Sequence, residues 1–99
     1  MIMICSFKNA GTEDVFNGVN SREARKICPP SIWRVAARKL EQLDSVVFFE
    51  ELRVPPGNRL ESLRGDRSGQ VSIRINNQYR ICFIWTEAGP DAVEIVDYH

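Results

Sequence analysis

Two stretches of alternating apolar and polar residues stand out in the second half of the chain. In residues 71–75 the apolar side chains fall at every second position, and the same alternation returns over residues 79–86. A period of two is typical of a strand with one buried face. The polar segment 76–78 separates the two stretches, so the sequence predicts an antiparallel hairpin with a short loop.

The apolar pattern also selects the register of this hairpin. Residues directly opposite each other in an antiparallel pair share one face of the sheet. A two-residue turn would place Ile73 opposite Arg80, whereas a three-residue loop over 76–78 places Ile73 opposite Ile81. A slip of one residue turns every side chain to the other face, so we expect the three-residue loop. Arg74 and Arg80 then become cross-strand neighbours on the face away from the core.

Helical periodicity is strongest in residues 31–45. Apolar residues recur there at intervals of three and four, and charged residues occupy the opposite side, which predicts an amphipathic helix. A second, shorter helix is expected after Gly11, with Thr12 as its N-cap and Gly18 at its end. The apolar side of the longer helix requires a sheet to cover.

The remaining segments complete the expected fold of a single domain over residues 1–99. Residues 2–7 and 92–98 are predicted strands, and residues 59–63 form a weak one. Residues 19–30 are expected to be a loop that can contain one helical turn, whereas residues 46–52 fit either a short helix or a strand. An N-terminal strand and two helices packed on a mostly antiparallel sheet give an α+β fold of two layers.

Composition excludes several classes of protein. The hydrophobic content of 43% and charged content of 26% are those of a globular chain rather than a disordered one. No apolar run approaches the roughly 20 residues that span a bilayer. The N-terminal residues MIMICSF lack a basic flank and a cleavage site, so we interpret them as a strand and expect a cytoplasmic protein without membrane association.

The cysteines indicate neither a disulfide framework nor a metal site. Cys5, Cys28 and Cys82 are odd in number and form no Cys-x-x-Cys motif. We expect Cys5 and Cys82, which lie in predicted strands, to be small buried apolar residues. His99 is the single histidine, too few for a zinc site. No metal and no cofactor is therefore expected.

Charge is unevenly distributed, although its sum is zero. Residues 53–80 carry six arginines against two acids, whereas residues 81–99 carry four acids and no Lys or Arg. A basic middle suggests one surface that faces an anion. Arg74 and Arg80 are either two solvated arginines or part of that surface, and the crowding of further arginines favours the second interpretation.

The segment GNRLESLRGDRSGQVSIRINNQYRICFIW, together with VEIVDYH at the C-terminus, resembles the HigB-type "killer protein" toxins, including GraT-like members, of the RelE/ParE superfamily. The resemblance covers nearly the whole chain. It implies a RelE-like fold with two helices against a curved antiparallel sheet. It also implies a ribosome-dependent mRNA endonuclease, neutralised by a HigA-type helix-turn-helix antitoxin. Operator DNA would be bound only through the toxin–antitoxin complex.

The resemblance further implies a set of site residues. The basic residue of the Leu-x-x-Leu-Arg-Gly-Asp segment is Arg64, and the arginine that follows an aromatic residue on the central strand is Arg80. Some members carry a histidine where this chain has Glu61, which we include as a departure from the pattern. The terminal triplet implied in activity is Asp97, Tyr98 and His99.

The chemistry of RNA cleavage fits these residue types. RNA supplies its own nucleophile, the 2′-OH, so the protein needs a base, an acid and cations for the developing phosphorane charge. Arginine suits the cationic task because its fork binds two phosphate oxygens. We expect the catalytic arginines to be Arg64 and Arg80, with RNA-binding help from Arg59, Arg67 and Arg74.

The sequence does not decide which residues act as acid and base. Histidine is the side chain that normally titrates near neutrality, so His99 is expected to be the acid, with Asp97 or Glu61 as the base. The alternative for His99 is a frayed terminal residue without a role. Tyr98 either stacks on a base or closes the core.

Two other functions remain open. One is a non-enzymatic inhibitor of DNA gyrase, as in the ParE branch of the superfamily. The other is a weak toxin that acts mainly within a repressor complex.

Overall fold

Three α-helices precede a sheet of four strands in the computed structural model, which describes residues 3–98. Short 3₁₀ turns connect these elements. The helices are α1 (Ala10–Asn17), α2 (Arg22–Ile27) and α3 (Trp33–Ser45), and the strands are β1 (Glu61–Ser62), β2 (Val71–Arg74), β3 (Tyr79–Thr86) and β4 (Gly89–Asp97). The α+β class predicted from the sequence is therefore confirmed.

The sheet is antiparallel throughout and its strands follow chain order, β1-β2-β3-β4. The predicted register of the β2–β3 hairpin is confirmed, since Ile73 faces Ile81 and Arg74 faces Arg80. The Asn76 side chain closes the three-residue loop, because its Oδ1 accepts hydrogen bonds from the main-chain N–H groups of Gln78 and Tyr79, both at 2.8 Å. An asparagine oxygen used in this way is a common turn device.

The N-terminal segment lies beside β4 in parallel orientation. Phe7 forms one isolated bridge with Val93, and the Cys5 N–H donates to the Pro90 carbonyl at 2.7 Å. The strand predicted over residues 2–7 is thus reduced to a single bridge, and Ile2 lies outside the described residues. Ala92, with a positive φ of 49°, lies where the β3–β4 register shifts, and such a bulge bends the strand.

The helices cover one face of the sheet, which leaves the other face for a site. Leu40 and Leu43 of α3 are fully buried and join one cluster with Ile73, Ile81 and Phe83 of the hairpin. This is the two-layer arrangement predicted from the amphipathic pattern of residues 31–45. No helix within residues 3–98 is long and apolar enough to cross a bilayer.

Thr12 is not the N-cap of α1, contrary to the sequence prediction. The cap is Asn9, whose Oδ1 accepts a hydrogen bond from the Thr12 N–H at 2.9 Å. Thr12 lies inside the helix, fully buried, and its Oγ1 accepts from the main-chain N–H of Ile95 on β4 at 3.0 Å. Gly18 ends the helix with a φ of 74°, as predicted.

Residues 19–30 were expected to form a loop that could contain one helical turn, and the structure places the six-residue helix α2 there. Ser21 caps this helix through a 3.0 Å hydrogen bond from the Ala24 N–H. The helix packs closely on α1 at Gly11, where an added Cβ would lie 2.5 Å from the Glu23 carbonyl oxygen and also overlap Ile27. Only glycine permits this approach of the two backbones.

The cysteines differ from one another in exposure. Cys82 is buried as expected, whereas Cys5 is exposed, so that prediction was wrong. Cys5 lies in the N-terminal segment, whose single bridge to β4 does not cover it. Burial raises the pKa of the Cys28 thiol to about 11 and also raises the pKa of Cys82. These two buried thiols therefore remain protonated at neutral pH.

A buried asparagine organises the connection between α3 and the sheet. The undecided segment 46–52 leads into a 3₁₀ turn over Phe49–Arg53. Asn58 is fully buried and donates from Nδ2 to the carbonyls of Leu52 and Val54 at 3.1 and 3.3 Å. Its Oδ1 accepts from Lys39 of α3. These bonds fix the segment that delivers Arg59 to the sheet.

Candidate active site

The candidate site lies on the sheet face that the helices leave uncovered. Strand pairing places Glu61, Ser72, Cys82 and Glu94 in one row across the four strands. The same pairing places Arg74 and Arg80 side by side in the next row. The polar face predicted from the alternation is therefore present, and most of its side chains are charged.

Arg80 lies on this face near the start of β3 and is largely buried, with 9% of its surface exposed. Its Nε donates to Ser72 Oγ at 2.7 Å, and its Nη2 donates to the Arg59 carbonyl at 2.6 Å. The guanidinium lies over the ring of Tyr98, 5.4 Å from the ring centroid, a cation–π arrangement. Such contacts hold the side chain in one orientation.

Glu61 lies beside this arginine. Its Oε1 is 3.8 Å from Arg80 Nη2, and half of the carboxylate side chain is exposed. An ion pair of this length and exposure is weak. The carboxylate is therefore free to move toward a ligand, and Arg80 still has its two stronger contacts.

The cleft beside Arg80 has a volume of about 170 Å³, and we name it the arginine cleft. The oxygen of Asn76 is used in the loop, and the oxygen of Asn77 accepts from Arg74. With both oxygens occupied, the cleft offers mainly hydrogen-bond donors, which suit an acceptor-rich ligand such as a phosphate group. Its lining residues are Arg59, Arg74, Asn76, Asn77, Arg80 and Tyr98.

A second, larger cleft of about 410 Å³ is lined by Arg67, Val96, Asp97 and Tyr98. We name it the tail cleft. Arg67 Nη1 donates to Glu94 Oε1 at 2.8 Å, and this hydrogen bond raises the pKa of Arg67. Asp97 Oδ2 accepts from Gln78 Nε2 at 3.1 Å. The pairing with Glu94 neutralises Arg67 and makes it the less available of the arginines on this face.

The residues proposed from the sequence fall into four groups. Arg59, Arg74, Arg80 and Tyr98 line the arginine cleft, with Glu61 at Arg80, whereas Arg67 and Asp97 line the tail cleft. Arg64 is exposed where a 3₁₀ turn begins and lines neither cleft. His99 lies outside the described residues. Tyr98 is the side chain that the two clefts share.

Sequence reasoning missed the hydrogen-bonding residues that hold this arrangement. Ser72 looked like an ordinary polar position of an alternating strand, yet it is fully buried. Asn76 and Gln78 were interpreted only as loop residues, whereas Gln78 holds Asp97. A signal was available in the register, because a residue two positions from Arg74 on the same strand face must approach Arg80.

Comparison with known proteins places the chain in a family. Residues 5–99 match the HigB-like toxin family, described as the RelE-like toxin of the type II toxin–antitoxin system HigB. The chain belongs to this HigB-like toxin family. The Toxin HigB-1 of Vibrio cholerae is 39% identical over 85 residues, which cover 86% of each chain. An uncharacterised protein of Haemophilus influenzae is 38% identical over 55 residues, 56% of this chain and 54% of that protein.

Family membership fixes the general role of this HigB-like chain. It is the toxin component of a type II toxin–antitoxin system, and a cognate antitoxin is its partner. Its four-stranded sheet with helices on one face agrees with a RelE-like fold. The uncovered face described above is then the surface whose chemistry remains to be assigned.

Proposed function

We propose that this chain is a ribosome-dependent mRNA endonuclease that inhibits translation. Arg80 carries the proposal, because its guanidinium is held rigidly at the edge of a cleft that offers mainly donors. A fixed cation contributes most when charge develops in the transition state, since no reorganisation is needed at that moment. Attack of the 2′-OH on the adjacent phosphate creates such a charge.

The arginine cleft accounts for binding of the phosphate. Arg74 and Arg59 stand beside Arg80 in the lining, so the three arginines bring positive charge to a volume of about 170 Å³. Tyr98 lines both clefts, and a base stacked on an aromatic ring gains about 1–3 kcal/mol. Arg64, which was expected from the sequence to be catalytic, lines neither cleft and is assigned with Arg67 to the flanking RNA backbone.

Proton transfer is assigned to the carboxylates and the terminal histidine. Glu61 at Arg80 and Asp97 in the tail cleft are the two candidate bases. His99 follows Tyr98 directly in the chain and is proposed as the acid that protonates the 5′-oxygen leaving group. No cofactor takes part in this scheme.

The proposed partners follow from the proposed nuclease function and from membership of the toxin family. The antitoxin is of the HigA helix-turn-helix type, the substrate is mRNA on the ribosome, and operator DNA is bound only in the toxin–antitoxin complex. The proposed location is the cytoplasm, where translating ribosomes are found.

A translation reaction programmed with one defined mRNA tests the proposal. Purified protein is added, and the mRNA is mapped by primer extension. We expect cuts within codons that require translating ribosomes. Arg80→Ala should reduce cleavage by at least about 10²-fold, the typical effect of removing one donor aimed at a transition-state charge.

Arg34→Ala is the matched control, because Arg34 is an exposed arginine on α3. It should cleave like the unaltered protein. Circular dichroism verifies that Arg80→Ala is folded. A folded Arg80→Ala protein with full activity would remove Arg80 from the active site. Intact mRNA with the unaltered protein would reject the nuclease and lead to a gyrase supercoiling assay.

A chain that ends at Tyr98 tests the terminal histidine in the same reaction. We expect a loss of about 10²–10⁴-fold, the usual contribution of general acid catalysis. Undiminished cleavage by this shortened chain would show that His99 is not the acid.

A further inference from the structure

Arg80 is held by two oxygens that belong to neighbouring segments. Ser72 Oγ on β2 accepts from Nε at 2.7 Å, and the main-chain carbonyl of Arg59 accepts from Nη2 at 2.6 Å. Nη1, the third nitrogen, makes no hydrogen bond to any residue within 3–98. The two acceptors thus fix one edge of the guanidinium, and its remaining nitrogen is available to a ligand.

Ser72 is unusual for its position. It is fully buried in a strand, yet it is not part of the apolar cluster between the helices and the sheet. A buried hydroxyl is unfavourable without a partner. In this structure the Ser72 hydroxyl oxygen accepts a hydrogen bond from the Arg80 Nε–H, so the burial of Ser72 is explained by that contact.

The second acceptor is delivered by an uncommon backbone conformation. Arg59 has a positive φ of 45°, directly after the 3₁₀ turn Pro56–Asn58. A residue other than glycine rarely adopts this conformation, which persists where the surroundings impose it. Here the buried Asn58 anchors the preceding turn, and the Arg59 carbonyl is consequently directed at Arg80.

We propose that Ser72 is a positioning residue that acts with the Arg59 carbonyl to aim Arg80 at the scissile phosphate. The effect of Ser72 on catalysis rests on the proposed nuclease function, whereas the hydrogen bond between Ser72 and Arg80 does not. Removal of one acceptor lets the guanidinium rotate, while its charge stays in the cleft. A misplacement of about 1 Å can cost about 10²-fold in rate, so the effect falls on turnover rather than on substrate binding.

Single-turnover and steady-state cleavage by Ser72→Ala measures this effect. We expect kcat to fall about 10–100-fold with KM changed by less than about threefold, because uniform binding is retained. Ser72→Thr keeps the hydroxyl and should recover most of kcat. Ser72→Cys is close in size but has a weak acceptor, and it should behave like Ser72→Ala. Ser72→Cys also replaces Ser72→Ala in this test if the alanine variant does not fold.

Ser62→Ala is the matched control, since Ser62 is an exposed serine on the neighbouring strand β1. It should leave kcat and KM unchanged. A rise in KM with kcat unaltered in Ser72→Ala would overturn the positioning role. Equal losses in Ser72→Thr and Ser72→Ala would overturn it as well, because the hydroxyl would then be irrelevant.

A direct measurement separates this inference from the proposed function. In ¹⁵N NMR, the Arg80 Nε–H should exchange slowly with water in the unaltered protein and in Ser72→Thr, and at least about tenfold faster in Ser72→Ala and Ser72→Cys. Equal exchange in all four proteins would overturn the inference. Protected exchange in a protein that cleaves no mRNA would overturn the nuclease function and leave Ser72 as the residue that orients Arg80.

Discussion

Arg74 and Arg80 lie directly opposite each other on neighbouring strands, and this arrangement predicts a conflict between stability and function. Like charges at opposed positions destabilise a sheet. Replacing Arg74 by threonine removes the repulsion and introduces a residue that favours strands. It also removes one cation from the arginine cleft. We therefore expect Arg74→Thr to be more stable and less active.

The expected gain in stability is small but measurable. Favourable cross-strand pairs contribute about 0.2–1 kcal/mol, and opposed like charges act in the opposite direction. Since Arg74 is half-buried, we expect the free energy of unfolding to rise by about 0.5 kcal/mol, a value within that range. In a domain of this size, that corresponds to an increase in Tm of about 2–4 °C. The lost hydrogen bond to Asn77 lies in an exposed loop, where water replaces it at little cost.

Salt distinguishes this repulsion from a change in strand propensity. The screening length falls from about 30 Å in 0.01 M salt to about 3 Å in 1 M salt. Urea denaturation at both salt concentrations should show the advantage of Arg74→Thr at low salt and a smaller advantage at high salt. Arg34→Ala removes an exposed arginine from α3. This variant should not gain free energy of unfolding at low salt relative to high salt.

Cleavage of the defined mRNA supplies the functional half of the test. Loss of a phosphate contact should reduce kcat/KM by about tenfold, the equivalent of about 1.4 kcal/mol. A variant that is less stable at low salt would refute the repulsion. A variant with unaltered cleavage would show that Arg74 does not serve the substrate.

Two further predictions concern stability. Asn58→Ala should lower the free energy of unfolding by about 2–4 kcal/mol in urea denaturation, because it removes the donor of the buried Leu52 carbonyl and the acceptor of Lys39; a loss below about 1 kcal/mol would contradict the anchoring role. The pKa of the Cys28 thiol is raised from 9.0 to about 11 by burial, so the unfolded chain loses this proton first and stability falls as pH rises from 9.0 to about 11. Cys28→Ala should flatten this decline by at most about 2–3 kcal/mol, and parallel stability curves for the two proteins would contradict the assignment.

The hairpin could be predicted because, in a strand with one buried face, the alternation of apolar and polar residues determines the register. Ile73 and Ile81 had to share the core face, and that requirement alone placed Arg74 opposite Arg80. The pairing observed in the structure is the expected one. Helix α3 was predictable for a related reason, since 13 residues carry several turns of periodicity.

Elements that depend on distant contacts were not predictable. Helix α2 has six residues, too few for a helical period to emerge, and its packing depends on Gly11 of another helix. Asn9 and Thr12 are both suitable caps by residue type. The choice between them depends on Ile95, 83 residues further along the chain, whose N–H requires the Thr12 hydroxyl.

In the site too, some features could be predicted from the sequence and others could not. The sequence indicated which arginines lie near one another, but the carbonyl that holds Arg80 comes from Arg59 in a conformation with positive φ. No local preference of arginine predicts that conformation. The role of Ser72 was missed because serine is a common residue at a solvent-facing strand position, so its residue type did not distinguish it.

The neutral net charge of the chain is compatible with an anion-binding face once the pairing of its acids is considered. Within residues 3–98, Glu61 lies at Arg80 and Glu94 pairs with Arg67, whereas Arg59 and Arg74 form no ion pair. Long-range attraction to RNA is weak when the summed charge is zero. Recognition must therefore depend on short-range contacts, in which the orientation of each guanidinium matters more than the number of positive charges. A fold that fixes Arg80 with two acceptors and tolerates a repulsive neighbour at Arg74 is the expected outcome of that requirement.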